Sequence, residues 1–263
     1  MPHPSFKTRL KKGRPALGCL SNMGSPVAAE IIAASGYDAV MTDMEHGSGD
    51  FANAVQQFQA ITAGGAVPLI RIPANDPVDL KRALDAGPAG VMVPAVSSAA
   101  EAAAAVNACR YPPQGIRGVA HSVARASGYG TDVEGYLQWL EAEFLLICQI
   151  ETMEGVGDVD AIAAVEGVDM LLVGPMDLSA SAGHFNDPDC AEMDAPMARV
   201  AEAAGNEGVL LGTMATAGRT APDLFEAGYD FVLDTVDIAI LREAARAKVV
   251  ASWKYTRDKK RGG

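Results

Sequence analysis

Short apolar runs that end on polar or charged residues recur along this chain, and their spacing leaves few folds open. LLICQIE (145–151) ends on Glu151 and MLLVGPMD (170–177) ends on Asp177. DAVMTDMEH (38–46) delivers Asp43, Glu45 and His46, and VPLIRIP (67–73) carries Arg71. Runs apolar throughout suit strands covered on both faces, as a parallel sheet requires. Eight such strands are expected, at 16–20, 38–43, 67–72, 89–94, 144–150, 169–173, 208–213 and 230–234. Ala-rich stretches of helical period alternate with them, at 26–35, 51–63, 77–86, 98–109, 133–142, 158–165, 190–206, 219–226 and 237–252. Gly36, Gly87 and Gly228 stand where helices should stop.

One βα unit repeated over 263 residues predicts a single (β/α)8 TIM barrel, which typically takes roughly 250 residues. The domain is expected to span 1–263, with 1–14 as an N-terminal extension and 237–263 as a C-terminal helix and tail. An open, doubly wound sheet is the main competitor, but no GxGxxG follows an early strand. Polar chemistry at the same end of four strands is the pattern of an enzyme site at a barrel mouth.

A net charge of −12 argues against a nucleic-acid-coating surface, which needs a basic face. The basic stretch Lys259-Lys260-Arg261 reads as a solvated end. Cys19, Cys109, Cys148 and Cys190 show no CxxC spacing and no histidine at zinc-finger distance. Cys19 and Cys148 lie in apolar strand-like runs and read as small core residues. That usage fits a reducing cytoplasm. The N-terminal region has charge but no apolar core of a signal peptide, and no run is long enough to span a membrane. The segment 110–131, with two Pro, four Gly and three Arg, breaks the βα rhythm. It is expected to be a lid, a subunit contact or a plain surface loop.

Glu151 and Asp177 at adjacent strand ends can offer oxygen ligands to a hard divalent cation, magnesium or manganese, with cobalt also suitable. Asp177 could equally cap the helix opened by Asp177-Leu178-Ser179. Gln149 shares a strand face with Glu151 and can hydrogen-bond a ligand, or be a satisfied core amide. Arg71 cannot lose its proton, so burial demands a carboxylate partner or an anion. It is read either as an ion pair with Asp43 or Glu45, or as a clamp on a developing enolate oxygen. His46 becomes a candidate base if an aspartate, Asp85 of LDAG, orients its ring. His121 could approach the mouth from its irregular loop, and His184 has no setting comparable to that of His46. No lysine ends a candidate strand, so a Schiff-base route has no nucleophile and any ketone must be activated by a metal.

The stretches SPVAAEIIAASGYD, MEHG, PLIRIP, LDAGPAGVMVPAV, RYPPQGIRGVAHSVARA, QIET and GPMDLSASAG closely resemble the metal-dependent pyruvate aldolases of the hydroxy-ketoacid aldolase/citrate lyase superfamily. They run from about residue 18 to 183, with a weaker match through FVLDTVD. The resemblance implies a barrel that reversibly cleaves 4-hydroxy-2-oxoacids into pyruvate and an aldehyde through a metal-held pyruvate enolate. It implies Glu151 and Asp177 as metal ligands, His46 as base with Asp85 as its orienter, and Arg71 as the clamp. Gln149, Gly174 and the backbone amides of Met176 and Asp177 would meet pyruvate. It also implies a homohexamer whose last helix is exchanged between subunits. Relatives often carry an aromatic residue where this chain has Leu20 in GCLSNMG, so the aldehyde end is expected to be roomier. A citrate-lyase-like enzyme acting on an acyl-CoA thioester is the alternative, disfavoured by 33 acidic against 21 basic residues. A non-catalytic ketoacid-binding barrel would not need a His46–Asp85 pair.

Overall fold

The computed structural model describes residues 5–261, with side chains through Trp253. Eight strands form a closed parallel barrel in sequence order: β1 (Ala16–Ser21), β2 (Ala39–Asp43), β3 (Val67–Arg71), β4 (Gly90–Val93), β5 (Leu145–Ile150), β6 (Met170–Val173), β7 (Leu210–Met214) and β8 (Phe231–Val236). The helices are α1 (Phe6–Lys11), α2 (Pro26–Ala34), α3 (Phe51–Ala63), α4 (Pro77–Ala86), α5 (Ala99–Cys109) and α6 (Val133–Ala142). They continue as α7 (Met153–Gly157), α8 (Val159–Ala163), α9 (Pro175–Ser181), α10 (Asp194–Glu207), α11 (Ala221–Glu226) and α12 (Asp237–Arg261).

Register decides what fills the lumen. Met41 pairs with Leu69, Met92 with Ile147, Ile147 with Met170, and Gly212 with Phe231. The apolar side chains among these join one buried cluster inside the barrel. Phe231 fits because Gly18 faces it, where a Cβ would lie 2.7 Å from the ring. Helix α1 closes the end where the strands begin: Phe6 and Leu10, one turn apart, enter the cluster, and Phe6 meets Phe231 edge-on at 5.8 Å. The intervening strand positions, such as Val40, Ile70, Cys148 and Leu171, pack outward against the helices. Cys19 and Cys148 are buried free thiols, as expected.

The expected bounds of α3, α4 and α6 match the structure, and each follows an aspartate that caps it: Asp50, Asp76 and Asp132. Gly36, Gly87 and Gly228 all have positive φ just past their helices. The helix expected at 158–165 forms as α8, shortened to Val159–Ala163, and a short helix outside the expected set, α7, precedes it. Asp158 separates them, and its carboxylate accepts the Ala99 N–H at 2.8 Å. The helix expected at 190–206 starts only at Asp194, after a 3-10 turn over Ala191–Met193. The last helix runs on to Arg261, and the side chains of Lys259-Lys260-Arg261 lie outside those described.

The 110–131 segment joins α5 to α6, and its contacts place it at the end of the barrel where the strands start. There Arg125 Nη1 donates to the Ala86 carbonyl at 2.7 Å, at the C-terminus of α4. It cannot be a lid over its own chain's mouth. Neither can its His121 approach that mouth: the ring stands edge-on to Tyr111 at 5.8 Å. Among the described residues, no helix is long and apolar enough to cross a membrane.

Candidate active site

Period-two alternation carries polar residues inward at the C-terminal ends of β2, β3 and β5. Asp43 and Arg71 are register partners on neighbouring strands. Arg71 therefore grips Asp43 with two bonds, Nε to Oδ1 at 2.9 Å and Nη2 to Oδ2 at 2.7 Å. Arg71 Nη1 also makes a charge contact with Glu45 Oε2 at 3.1 Å. The ion-pair reading of Arg71 is thus realised, with both acids. Burial pushes the Asp43 carboxyl up, but the Arg71 bonds, its charge and the amides of Glu45 and His46 hold it below the usual range. Arg71 stays firmly charged, because Asp43 outweighs the loss of solvent. Asn22 adds a third grip, donating from Nδ2 to Asp43 Oδ2 at 2.6 Å.

Glu151 is buried just past β5. Its Oε1 accepts the Ala95 N–H at 2.8 Å, and its Oε2 accepts a very short bond from Gln149 Nε2. Ala95 reaches that position with φ +52, a left-handed conformation that an alanine adopts only under constraint. Burial pushes the Glu151 carboxyl up to about 7; the charges of Asp177 and Glu45 reinforce this, while the Ala95 amide and Arg71 oppose it. Burial raises Glu45 as well, against Arg71 and His46. Gly174 permits the crowding: a Cβ there would lie 2.5 Å from Glu151 Oε2 and 2.7 Å from Gln149 Nε2.

Asp177 does not cap a helix. Gly174 is the N-cap of α9, Pro175 follows it, and Asp177 sits in the first turn. With no side chain at the cap, the N–H groups of Met176 and Asp177 have no capping acceptor. Arg71, Gln149, Gly174, Met176 and Asp177 line one cavity of about 390 Å³, with the loops 186–189 and 214–217 as its far wall. Glu151 lies directly behind Gln149 and Gly174. A larger cavity, about 460 Å³, lies between α5 and α6 beside Lys7 and Asp169. That one opens where the strands begin and holds none of these groups, so size alone does not mark the site.

His46 is exposed, with 64% of its side chain accessible, and its Nε2 is 3.8 Å from Glu45 Oε2. The structure does not bring Asp85 to it. Asp85 ends α4, which runs antiparallel to the strands, so it sits at the opposite end of the barrel. There Arg117 Nη2 donates to its Oδ1 at 2.8 Å. The sequence patterns also leave Asn22, the Ala95 amide and Asp237 unmarked. Asp237 is buried and accepts the N–H groups of Asn22 and Met23, both at 3.0 Å. Only the unusual GCLSNMG phrase points toward that corner.

The donor set fits a hard divalent cation. Glu151, Asp177 and Glu45 crowd negative charge, and Gln149 Oε1 is a buried oxygen with no hydrogen-bond partner. A parallel barrel with acids, a buried arginine and an open helix start at its mouth is the layout of a barrel enzyme whose site can hold a cation and an anionic substrate. The family model of HpcH/HpaI aldolase/citrate lyase matches residues 17–244, and the chain belongs to this family. It is 37% identical over 249 residues to a hydroxypyruvate/pyruvate aldolase of Chromohalobacter salexigens, covering 95% of this chain and 97% of that one. It is 37% identical to a 4-hydroxy-2-oxo-heptane-1,7-dioate aldolase of Shigella boydii, covering 92% of each. A solved HpcH/HpaI aldolase/citrate lyase family protein of Burkholderia cenocepacia superposes with TM-score 0.88 at 38% identity, covering 94% of this chain and 98% of that one. The chain is accordingly an aldolase, a carbon–carbon lyase.

Proposed function

We propose that the chain reversibly cleaves 4-hydroxy-2-oxoacids to pyruvate and an aldehyde. The observation that carries this reading is the mouth itself, where Arg71, Gln149 and Asp177 line one cavity backed by the raised carboxyl of Glu151. Glu151 and Asp177 would hold a divalent cation, Mg2+ or Mn2+ by their oxygen chemistry, with Co2+ also accepted. When bound, such an ion supplies Lewis-acid polarisation of the ketone oxygen.

The chain's own residues do the rest. The uncapped amides of Met176 and Asp177 receive the substrate carboxylate, where the partial positive charge of a helix start favours it. Gln149 and the Gly174 backbone pack against the ketoacid. Arg71 offers its remaining Nη protons to the ketone oxygen and holds the charge that develops there. His46 takes the C4 hydroxyl proton, the C3–C4 bond breaks to release the aldehyde, and reprotonation at C3 yields pyruvate. Glu45 is the acid beside His46 in this chain. A role for Asp85 in orienting His46 therefore requires a neighbouring subunit.

A homohexamer with α12 exchanged between subunits would meet that requirement. It is supported by Ile238, Leu241, Val249, Val250 and Trp253, all exposed on one protruding helix. Exposed Ile116, Val119 and Val123 on the 110–131 segment add apolar surface suited to a subunit contact. A cytoplasmic setting is supported by four free cysteines.

The test is exchange of the pyruvate methyl protons with deuterated water, which needs no aldehyde. Exchange should require a divalent cation, stop with chelator, and be lost in Glu151→Ala. Full exchange in the stripped protein would overturn the reading.

A further inference from the structure

The loop from 183 to 193 leaves α9, forms part of the cavity wall and enters α10. Its backbone is pinned from outside. Arg219 Nη1 donates to the Pro188 carbonyl at 2.7 Å, and its Nη2 donates to Asp194 Oδ1 at 2.5 Å. Gly218 N–H donates to Asp189 Oδ2 at 2.8 Å, and His184 N–H donates to the Ser179 carbonyl at 2.8 Å. None of these bonds uses the side chains of His184, Cys190 or Glu192. Those three converge nonetheless: Cys190 hydrogen-bonds the Glu192 carboxylate, and a ring nitrogen of His184, the thiol sulfur and a carboxylate oxygen lie within 4.8 Å of one another. No ion pair joins Glu192 to a basic side chain among the described residues.

We propose that His184, Cys190 and Glu192 form a second cation site, selective for a borderline divalent ion of the zinc class. Nitrogen, thiolate and carboxylate are the three ligand types zinc accepts, and a site with three protein ligands keeps a fourth position for water. Zinc bonds of about 2.0–2.3 Å bring tetrahedral ligand atoms to within about 3.3–3.8 Å of each other. The triad must therefore tighten by roughly one ångström, which rotamer changes of partly exposed side chains provide. Ligation releases the Cys190 proton to solvent and leaves no unbalanced charge to be supplied. The oxygen-only pair Glu151 and Asp177 prefers hard ions, so the two sites select different metals. Asn186, Asp187, Pro188 and Asp189 lie between the ligands and line the cavity, so an ion here stiffens that wall.

The test is cobalt and zinc binding by the whole metal-stripped protein. Cobalt should produce thiolate-to-metal charge-transfer absorption, which an oxygen-only site cannot give. The band should persist in Glu151→Gln, so failure of the aldolase reading would leave this one standing. It should vanish in Cys190→Ser. His184→Gln and Glu192→Gln should each weaken zinc by at least about tenfold, since losses even in the outer shell cost that much. These two carry the comparison if Cys190→Ser folds poorly, and unfolding curves in chelator should match wild type. No charge-transfer band in the wild-type protein, or wild-type zinc affinity in all three variants, would overturn the proposal.

Discussion

Two buried arginines sit at opposite ends of this barrel, and their surroundings differ in how the charge of each is balanced. Arg117, where the strands begin, donates to the Tyr136 hydroxyl at 2.9 Å and to Asp85 at 2.8 Å, and it stacks over Tyr111 at 4.5 Å. One positive charge meets one carboxylate there, and aromatic rings fill the space. Arg71, at the mouth, grips Asp43 and touches Glu45, with Glu151 and Asp177 close enough to act on the same group of charges. Four carboxylates face one guanidinium. The first cluster balances its charge; the second is short of positive charge and borders a cavity. A buried arginine is thus uninformative alone, and the balance of acids around it tells which kind it is.

That contrast can be broken by substitution. Arg117→Met should be the most damaging change to stability, about 3 kcal/mol in a denaturant titration, the low end for breaking a buried pair because Asp85 is partly exposed. The specific activity of its folded fraction should fall far less than that of Arg71→Lys, because Arg117 touches Asp85 and not the cavity; a loss as large would erase the distinction. Arg71→Lys keeps the charge but loses the bidentate fork, and methyl exchange should slow by roughly a hundred- to a thousandfold with little change in melting temperature.

Gly174→Ala places a methyl group against Glu151 and Gln149, and Mn2+ affinity measured by calorimetry should fall by roughly tenfold to a hundredfold. Unaltered binding would show that the crowding has slack. The smallest effect concerns pH. With its carboxyl raised to about 7, native Glu151 holds more protons than the unfolded chain between the unfolded value and about 7. The metal-free protein should therefore lose stability as pH rises through that window. A divalent cation should restore it, raising the melting temperature more at pH ~8 than at pH ~5.5, by a few degrees on the order expected for this size. An equal cation effect at both pH values would show that Glu151 is ionised throughout.

Much of this is legible in the linear chain, for identifiable reasons. Helices α3, α4 and α6 carry their own start signals in Asp50, Asp76 and Asp132, so their limits follow from local chemistry. Helix α1 reads only as an extension, although the one-turn spacing of Phe6 and Leu10 is a signal; its burial depends on a barrel opening that no local pattern describes. Helix α8 falls inside the stretch expected at 158–165, whereas α7 lies outside every expected helix; Asp158 between them turns its side chain to another helix, at Ala99. At the site, Arg71 and Gln149 stand out as polar residues in apolar strands. Asn22 and the Ala95 amide do not, because one belongs to a loop and the other is backbone.

The alternation of two along each strand determines by itself that Asp43, Arg71, Gln149 and Glu151 project together at the strand ends, since side-chain direction in a strand is a local property. Tertiary structure alone decided partnership. It gave Asp85 to Arg117 instead of His46, kept 110–131 away from its own chain's mouth, and gathered His184, Cys190 and Glu192 on one loop. Such choices depend on which end of the barrel each helix reaches and on which backbones a distant arginine pins, and neither distance is written in the order of the residues.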